Sequence, residues 1–138
     1  MSFDSVAANV ELTRPAIVKT LFEYANTDNY KEFTLMVTMP EFDTSILKEQ
    51  NEKGATIIHV NCQKCKDVDI NILNSIGNIF EKGDPIFYLA DYKTKTLVDY
   101  YHKNQNKIVK LKIAKFIADH TLYSTEILNL PTGAGYKF

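Results

Sequence analysis

The residues with the clearest chemical potential are Cys62 and Cys65, which are separated by two residues. A Cys-x-x-Cys pair can cycle between dithiol and disulfide, and its thiolate is stabilised by a helix N-terminus or by nearby lysines. The local pattern predicts a strand that ends near Cys62 and a helix that begins at Asp67, so that Lys64 or Lys66 would lie beside the thiols. The alternative is structural, with one buried cysteine at a strand end and one exposed cysteine.

A metal centre is not expected. Structural zinc requires four ligands, usually two cysteine pairs or one pair with two spaced histidines. His59, His102 and His120 are scattered along the chain and form no such motif. The prediction is therefore that the protein holds no metal and no cofactor, and that the histidines are polar groups at the surface or at strand ends.

The carboxylates do not form an evident acid and base pair either. Asp84, Asp91 and Asp99 occur near proposed turns, where aspartate commonly hydrogen-bonds its own backbone. The sequence contains no glycine-rich phosphate loop and no His-Glu-x-x-His motif. Catalytic residues are therefore not assigned, except for Cys62 and Cys65 under the redox alternative.

Composition sets the class of protein. The chain has 138 residues, of which 45% are hydrophobic and 24% are charged, which predicts a single globular domain. A net charge of −1 gives no electrostatic reason to expect nucleic acid or an anionic membrane as a partner. Two cysteines and no signal-peptide pattern predict the cytoplasm or another reducing compartment.

Four helices are predicted from caps and apolar spacing. Thr13 and Pro15 mark the first helix start, and Asp43 is expected to cap a second helix that Gly54 closes. The first predicted helix begins at residue 13. The other three cover residues 44–53, 67–80 and 107–120. Residues 109–113 also alternate as a strand would, so a strand remains the alternative for the last of these segments.

Strands are predicted where β-branched and aromatic residues cluster. The segments are residues 33–39, residues 55–61 and an antiparallel hairpin within residues 83–102, with a short strand at 123–128. The hairpin begins at Pro85, which can lie only at a strand start or edge. No internal repeat is evident. Helices that alternate with strands, followed by a hairpin, predict an α/β fold with a mixed sheet.

This order resembles the thioredoxin-like fold over about residues 10–120. Residues 44–62, from Thr44-Ser45-Ile46 to Val60-Asn61-Cys62, look like the second helix and following strand of the family. Gly83-Asp84-Pro85 lies where the family carries a cis-proline, which implies a cis peptide bond before Pro85 and structural roles for Gly83 and Asp84. Lys93-Thr94-Lys95 falls at the hairpin turn, and residues 107–119 match the C-terminal helix.

The chain departs from that family at its reactive motif. Redox-active members carry Cys-x-x-Cys between the second strand and the second helix, and the matching segment here, residues 38–43, contains no cysteine. Redox-inactive members generally serve as binding or structural modules, and the resemblance implies the same for this chain.

The predicted function is therefore non-catalytic. A thioredoxin-like domain at residues 13–120, with an N-terminal arm at 1–12 and a tail at 121–138, would act through protein–protein contacts as an adaptor or a structural subunit. A virus particle is one setting that the composition suggests. The arm and the tail are expected to engage neighbours. The alternative is a thiol–disulfide oxidoreductase or redox switch that uses Cys62 and Cys65.

Overall fold

A computed structural model describes residues 13–122, and these contain six α-helices and two short 3₁₀ helices. The α-helices are α1 (Arg14–Thr27), α2 (Tyr30–Val37), α3 (Ile57–Lys64), α4 (Asn71–Ile79), α5 (Leu97–His102) and α6 (Lys107–His120). The 3₁₀ helices are called the first connector (Thr44–Lys48) and the second connector (Pro85–Tyr88). The predicted arm at 1–12 and most of the predicted tail, including the strand at 123–128, lie outside the described residues.

The α/β prediction is wrong. No strand occurs between residues 13 and 122, so the thioredoxin-like mixed sheet and its closing hairpin are not supported. The predicted hairpin is instead the second connector, a turn at residues 91–95 and helix α5. No peptide bond within the described residues is cis, so the implied cis-proline at Pro85 is also not found.

The predicted strands are helical because spacing and capping override β propensity. In α2 the buried residues are Phe33, Met36 and Val37, which recur at helical intervals. The segment around Ile57 begins with a capping box, in which the Thr56 hydroxyl accepts from the His59 N–H and the His59 ring accepts from the Thr56 N–H. Packing and capping together outweigh the modest cost of β-branched residues in a helix.

Several helix predictions are confirmed. The Thr13 hydroxyl accepts a hydrogen bond from the Ala16 N–H (3.3 Å) at the start of α1. Asp43 caps as expected, but the element that it caps is a connector ending at Lys48 rather than a helix to residue 53. Helix α4 lies within the predicted third helix. Helix α6 is capped by Asn106, whose side-chain oxygen accepts from Ile108 and Val109.

The helices are arranged as three consecutive pairs. Each pair consists of an odd-numbered helix and the next even-numbered helix, and the two contact each other. The odd-numbered helices α1, α3 and α5 pack in one row, with α3 in the middle, and the even-numbered helices pack in a second row with α4 in the middle. One continuous hydrophobic cluster lies between the rows. Such stacked pairs are typical of helical repeat proteins.

Two turns repeat with the same hydrogen bonds, forty residues apart. In the first turn, residues 51–55, the Asn51 N–H donates to the Ala55 carbonyl (2.9 Å) and the Gly54 N–H donates to the Asn51 carbonyl (2.9 Å). The second turn consists of residues 91–95. In it the Asp91 N–H donates to the Lys95 carbonyl (2.9 Å) and the Thr94 N–H donates to the Asp91 carbonyl (3.0 Å). A threonine with a capping box follows each turn, so the internal repeat that the sequence did not reveal is present in the structure.

The left-handed residue of each turn occupies the same position. Gly54 has φ +79° and Thr94 has φ +63°. The turns also touch, because the Tyr92 N–H donates to the Lys53 carbonyl (3.1 Å). None of the helices in the described part of the chain is long and apolar enough to cross a membrane.

Candidate functional site

The two cysteines lie at the end of α3 rather than at the start of a helix. Cys62 is in the last turn of α3, and Cys65 is the C-terminal capping residue. The next helix begins only at Asn71. A helix C-terminus carries negative partial charge and disfavours a thiolate, which is the reverse of the predicted environment.

Both thiols are free and buried. Burial raises the pKa of the Cys62 thiol far above its usual value, and the neighbouring Cys65 adds to that rise. Burial also raises the pKa of Cys65 to about 12, with a further contribution from the nearby Asp28. Because the thiolate is the reactive form, neither cysteine has the electropositive, accessible surroundings of a catalytic thiol.

The cysteines instead mark a packed junction. The buried Asn104 donates to the carbonyl oxygens of Cys62 (3.1 Å) and Cys65 (3.0 Å), which are acceptors that the end of a helix leaves without a partner of its own. Asn61 has the matching role one pair earlier, since its side-chain nitrogen donates to the Ala25 carbonyl near the end of α1 (3.1 Å). At the C-terminal ends of α1 and α3, carbonyl oxygens thus accept hydrogen bonds from an asparagine of the following pair.

The histidines remain apart from one another. His59 belongs to the capping box of α3, and its other ring nitrogen lies 2.9 Å from the Leu89 carbonyl oxygen. His120 stacks on Phe87 with ring centroids 5.2 Å apart. Between residues 13 and 122, no group of three or more histidine, cysteine, aspartate or glutamate side chains is placed to hold a metal ion.

Gly83, Asp84 and Pro85 have structural surroundings. The Asp84 carboxylate caps the second connector by accepting from the Ile86 N–H (2.9 Å), and it lies 3.4 Å from the Lys48 ammonium. The Gly83 N–H donates to the His120 carbonyl (2.9 Å), which ties this corner to the end of α6.

A cavity of about 670 Å³ lies between α1, the first turn and α3. Its apolar lining includes Val18 and Phe22 from α1 and Val60 from α3, all of which are partly exposed. Val18 and Phe22 lie beside the fully buried Leu21 and Ala25 on the same side of α1, so they pack against the edge of the core and remain partly exposed. The surface around Val18, Phe22 and Val60 is called the groove.

Charged side chains surround the apolar floor of the groove. Lys19 and Glu23 come from α1, Glu52 comes from the first turn, and Arg14 and Glu49 lie at one end. Arg14 is held in place, because its guanidinium donates to Glu49 (2.9 Å), to Asp43 (3.1 Å) and to the Ser45 hydroxyl (3.2 Å). An apolar floor with a polar rim is the usual composition of a protein-binding surface.

None of the candidate site residues predicted from the sequence lines this groove. Sequence reasoning missed it because Val18, Phe22 and Val60 each fit helix or strand packing. The signal that could have found it is the similarity of Glu52-Lys53-Gly54-Ala55-Thr56 to Tyr92-Lys93-Thr94-Lys95-Thr96, which marks a repeated turn and helix start.

Comparison of this chain with protein-family models, with curated protein sequences and with solved structures found no match.

Proposed function

We propose that this chain is a helical repeat module that binds a protein partner through the groove between α1, the first turn and α3. The observation that carries the proposal is the partly exposed apolar floor of Val18, Phe22 and Val60 in a groove that charged side chains also line. The proposal retains the role as adaptor or structural subunit that the sequence predicts. It places that role on a helical repeat instead of a thioredoxin-like fold.

The repeat architecture supports this proposal. A tight turn followed by two helices, with Thr56-Ile57-Ile58-His59 opening the first of them, resembles the layout of ankyrin-type repeats. Stacked helix pairs present side chains from successive units on one continuous face, and repeat proteins of this kind commonly bind other proteins there. The odd-numbered helices and the turns supply that face here.

The groove also has properties that favour a peptide or protein over a small polar ligand. Its lining includes the cation Arg14, whose guanidinium already donates three hydrogen bonds, to Glu49, Asp43 and Ser45. Aromatic side chains, phenylalanine among them, are enriched at the core of protein–protein interfaces. Phe22 is the largest of the three floor residues, so it is the expected anchor.

The test is site-specific photo-crosslinking in an extract of cells that naturally express the protein. Benzoylphenylalanine replaces Phe22 in one variant and Leu35 in another, because Leu35 is an equally apolar, 62% exposed residue of α2 that does not line the groove. We expect one partner to be captured from position 22 and not from position 35. Equal capture at both positions, or none at position 22, would overturn the groove as the binding site.

Affinity gives the quantitative arm of the test. With the captured partner in purified form, Phe22→Ala is expected to weaken binding roughly thirtyfold, which corresponds to about 2 kcal/mol. Leu35→Ala is expected to leave the dissociation constant unchanged. Circular dichroism of both variants establishes that the loss at Phe22 does not come from unfolding.

A further inference from the structure

Helix α6 leaves a pair of aliphatic side chains largely exposed. Ile108 and Leu111 are 60% and 61% exposed. They are three residues apart, so their side chains are neighbours on one face of the helix. Among the exposed large apolar side chains of residues 13–122, they are the only two that belong to the same helix. Single exposed apolar side chains need no explanation, whereas a contiguous group with a polar rim is typical of an interaction site.

The polar side chains around this pair are positively charged. Lys107 precedes Ile108, and Lys112 and Lys115 follow it at helical spacing on the same face. Lys115 lies 3.0 Å from the Asp119 carboxylate, but Lys107 and Lys112 form no ion pair with the described residues. This surface is called the cationic face, and it consists of Lys107, Ile108, Leu111, Lys112 and Lys115.

The groove has the opposite balance of charge. Its lining contains three glutamates and two cations, which are Glu23, Glu49, Glu52, Arg14 and Lys19. Arg14 is bound by Asp43 (3.1 Å) as well as by Glu49 (2.9 Å), so its charge is already balanced. Glu23 and Glu52 are exposed and form no ion pair within the described part of the chain. The groove and the cationic face are therefore complementary, since each combines apolar side chains with charges of one prevailing sign.

We infer that the partner in the groove is a second copy of this chain, which inserts the cationic face of its α6. This inference rests on the proposed function and names the occupant of the same groove. Ile108 and Leu111 of one copy contact the apolar floor of the other, and the lysines lie beside Glu23 and Glu52. A helix that enters an apolar groove uses positions i, i+3, i+4 and i+7, which is the spacing of Ile108, Leu111, Lys112 and Lys115.

The fold makes this contact intermolecular. Helix α6 packs on α4 and α5, and its Val109, Ile113 and Ile117 are buried in the core. Its outer face therefore cannot turn toward the groove of its own chain, which lies between α1 and α3. Each copy offers a face to one neighbour and a groove to another, so the interface is heterologous. Repeated contacts of this kind produce an open chain of copies or a closed ring.

Sedimentation velocity of the purified full chain tests whether copies associate. We expect the weight-average sedimentation coefficient to rise with protein concentration and to fall when salt is added, because salt screens the attraction between exposed charges. A coefficient that stays at the value of one copy, at every concentration up to the solubility limit, would overturn the inference.

Paired variants test which surfaces meet. Leu111→Glu disables the face and keeps the groove, whereas Phe22→Ala disables the groove and keeps the face. Each variant alone should associate at least about tenfold more weakly than the unsubstituted chain. An equimolar mixture should form a complex with one copy of each variant and nothing larger. Leu35→Glu, on α2 and outside both surfaces, should associate like the unsubstituted chain.

Two results would contradict this pairing of surfaces. One is a mixture of the two variants that associates no better than each variant alone, and the other is unchanged association of Leu111→Glu. If Phe22→Ala does not fold, Glu52→Lys replaces it, because Glu52 is an exposed residue of the groove.

The outcome for the groove itself is decided separately. In the purified chain, benzoylphenylalanine at position 22 should crosslink to a peptide of α6 from another copy. A chain that stays monomeric, but whose position 22 captures a different protein from the extract, would overturn the second-copy partner and leave the groove as a binding site. A monomeric chain with no capture at position 22 would overturn both.

Discussion

The backbone N–H of Tyr92 donates a hydrogen bond to the carbonyl oxygen of Lys53, at 3.1 Å. This bond joins the two turns of the protein, which are forty residues apart and have the same internal hydrogen bonds. The turns therefore align the helix pairs that follow them, because each turn leads directly into a threonine cap and an odd-numbered helix.

Gly54→Ala is expected to destabilise the protein by at least about 2 kcal/mol. A Cβ atom at this position would lie 2.6 Å from the Tyr92 ring and 2.7 Å from the Tyr92 backbone nitrogen, and the backbone has φ +79°. Denaturant unfolding of the variant measures the loss.

Gly83→Ala is the matched control for that substitution. Gly83 has a similar φ of +85°, but a Cβ atom there would meet no other atom within 4 Å. It should therefore show only the backbone cost of about 1 kcal/mol. If both variants lose the same stability, the contact between the turns is not what restricts Gly54.

Thr94→Gly should stabilise the protein by roughly 0.5 kcal/mol, because glycine removes the strain of a left-handed backbone while adding some freedom to the unfolded chain. Thr94 has φ +63°, which is unfavourable for a β-branched residue. The same unfolding measurement applies. A clear loss of stability would show that the threonine side chain contributes more than its backbone strain costs.

Asn104→Ala should cost about 2–3 kcal/mol, because it leaves two buried carbonyl oxygens at the end of α3 without their donor. Asn74→Ala removes a comparable but exposed bond to the Asp69 carbonyl (2.8 Å), and it should cost less than about 1 kcal/mol. Equal losses in the two variants would mean that the junction at Cys62 and Cys65 is not specially dependent on Asn104.

The thiols provide the test of the redox alternative. Because Cys62 and Cys65 are buried and burial raises the pKa of each, we expect no reaction with a thiol reagent in the folded protein and reaction of both after denaturation. Rapid labelling of either cysteine under native conditions would revive the oxidoreductase hypothesis. Labelling at the rate of global unfolding would identify Cys62 and Cys65 as residues of the core.

Stability should fall as the solution becomes acidic. Burial lowers the pKa of His59, although the Leu89 carbonyl and then Asp91 and Asp99 oppose that shift. The unfolded chain therefore binds a proton that the folded chain does not, and the associated stability is lost as pH falls from about 6.5 toward the folded pKa. Burial lowers the pKa of His102 and His120 as well, so their contributions have the same sign.

Urea unfolding at pH values of about 7.5, 6.5 and 5.5, which bracket the ordinary pKa of histidine, measures this dependence. His59→Gln should reduce the slope below pH ~6.5, since it removes one of the three contributing groups. A free energy of unfolding that rises as the solution is acidified would contradict the assignment of His59 as a buried neutral group.

Caps and long apolar stripes were the part of the fold that the sequence predicted correctly. Thr13, Asp43 and the segment of α6 are examples, because a cap depends on a few adjacent atoms. Residues 109–113 alternate as in a strand, yet Lys110 is only 6% exposed and directs its ammonium to the His102 carbonyl (3.3 Å). Its long aliphatic part is buried, so the polar residue at position 110 does not mark a solvent face.

The helical state of the segments predicted as strands, and the position of the groove, could not be predicted from the sequence in the same way. Ile57 and Ile58 favour strands by propensity, and only the Thr56–His59 capping box and burial at helical spacing reverse that preference. The groove depends on α1 and α3 lying side by side, which is a contact between residues about forty positions apart. The predicted strand end at Cys62 and helix start after Cys65 were wrong, because both cysteines lie at the end of α3 and Cys65 caps its C-terminus.

The hydrogen bonds from Asn61 and Asn104 make each helix pair depend on the pair that follows it in the chain. Asn61 of the second pair completes the end of α1, and Asn104 of the third pair completes the end of α3. Loss of a later pair therefore removes donors from the earlier one, whereas loss of the first pair removes no such donor from α3. Fraying that starts at α5 and α6 should spread toward the N-terminus, so amide protection in α1 reports on the integrity of helices two pairs away.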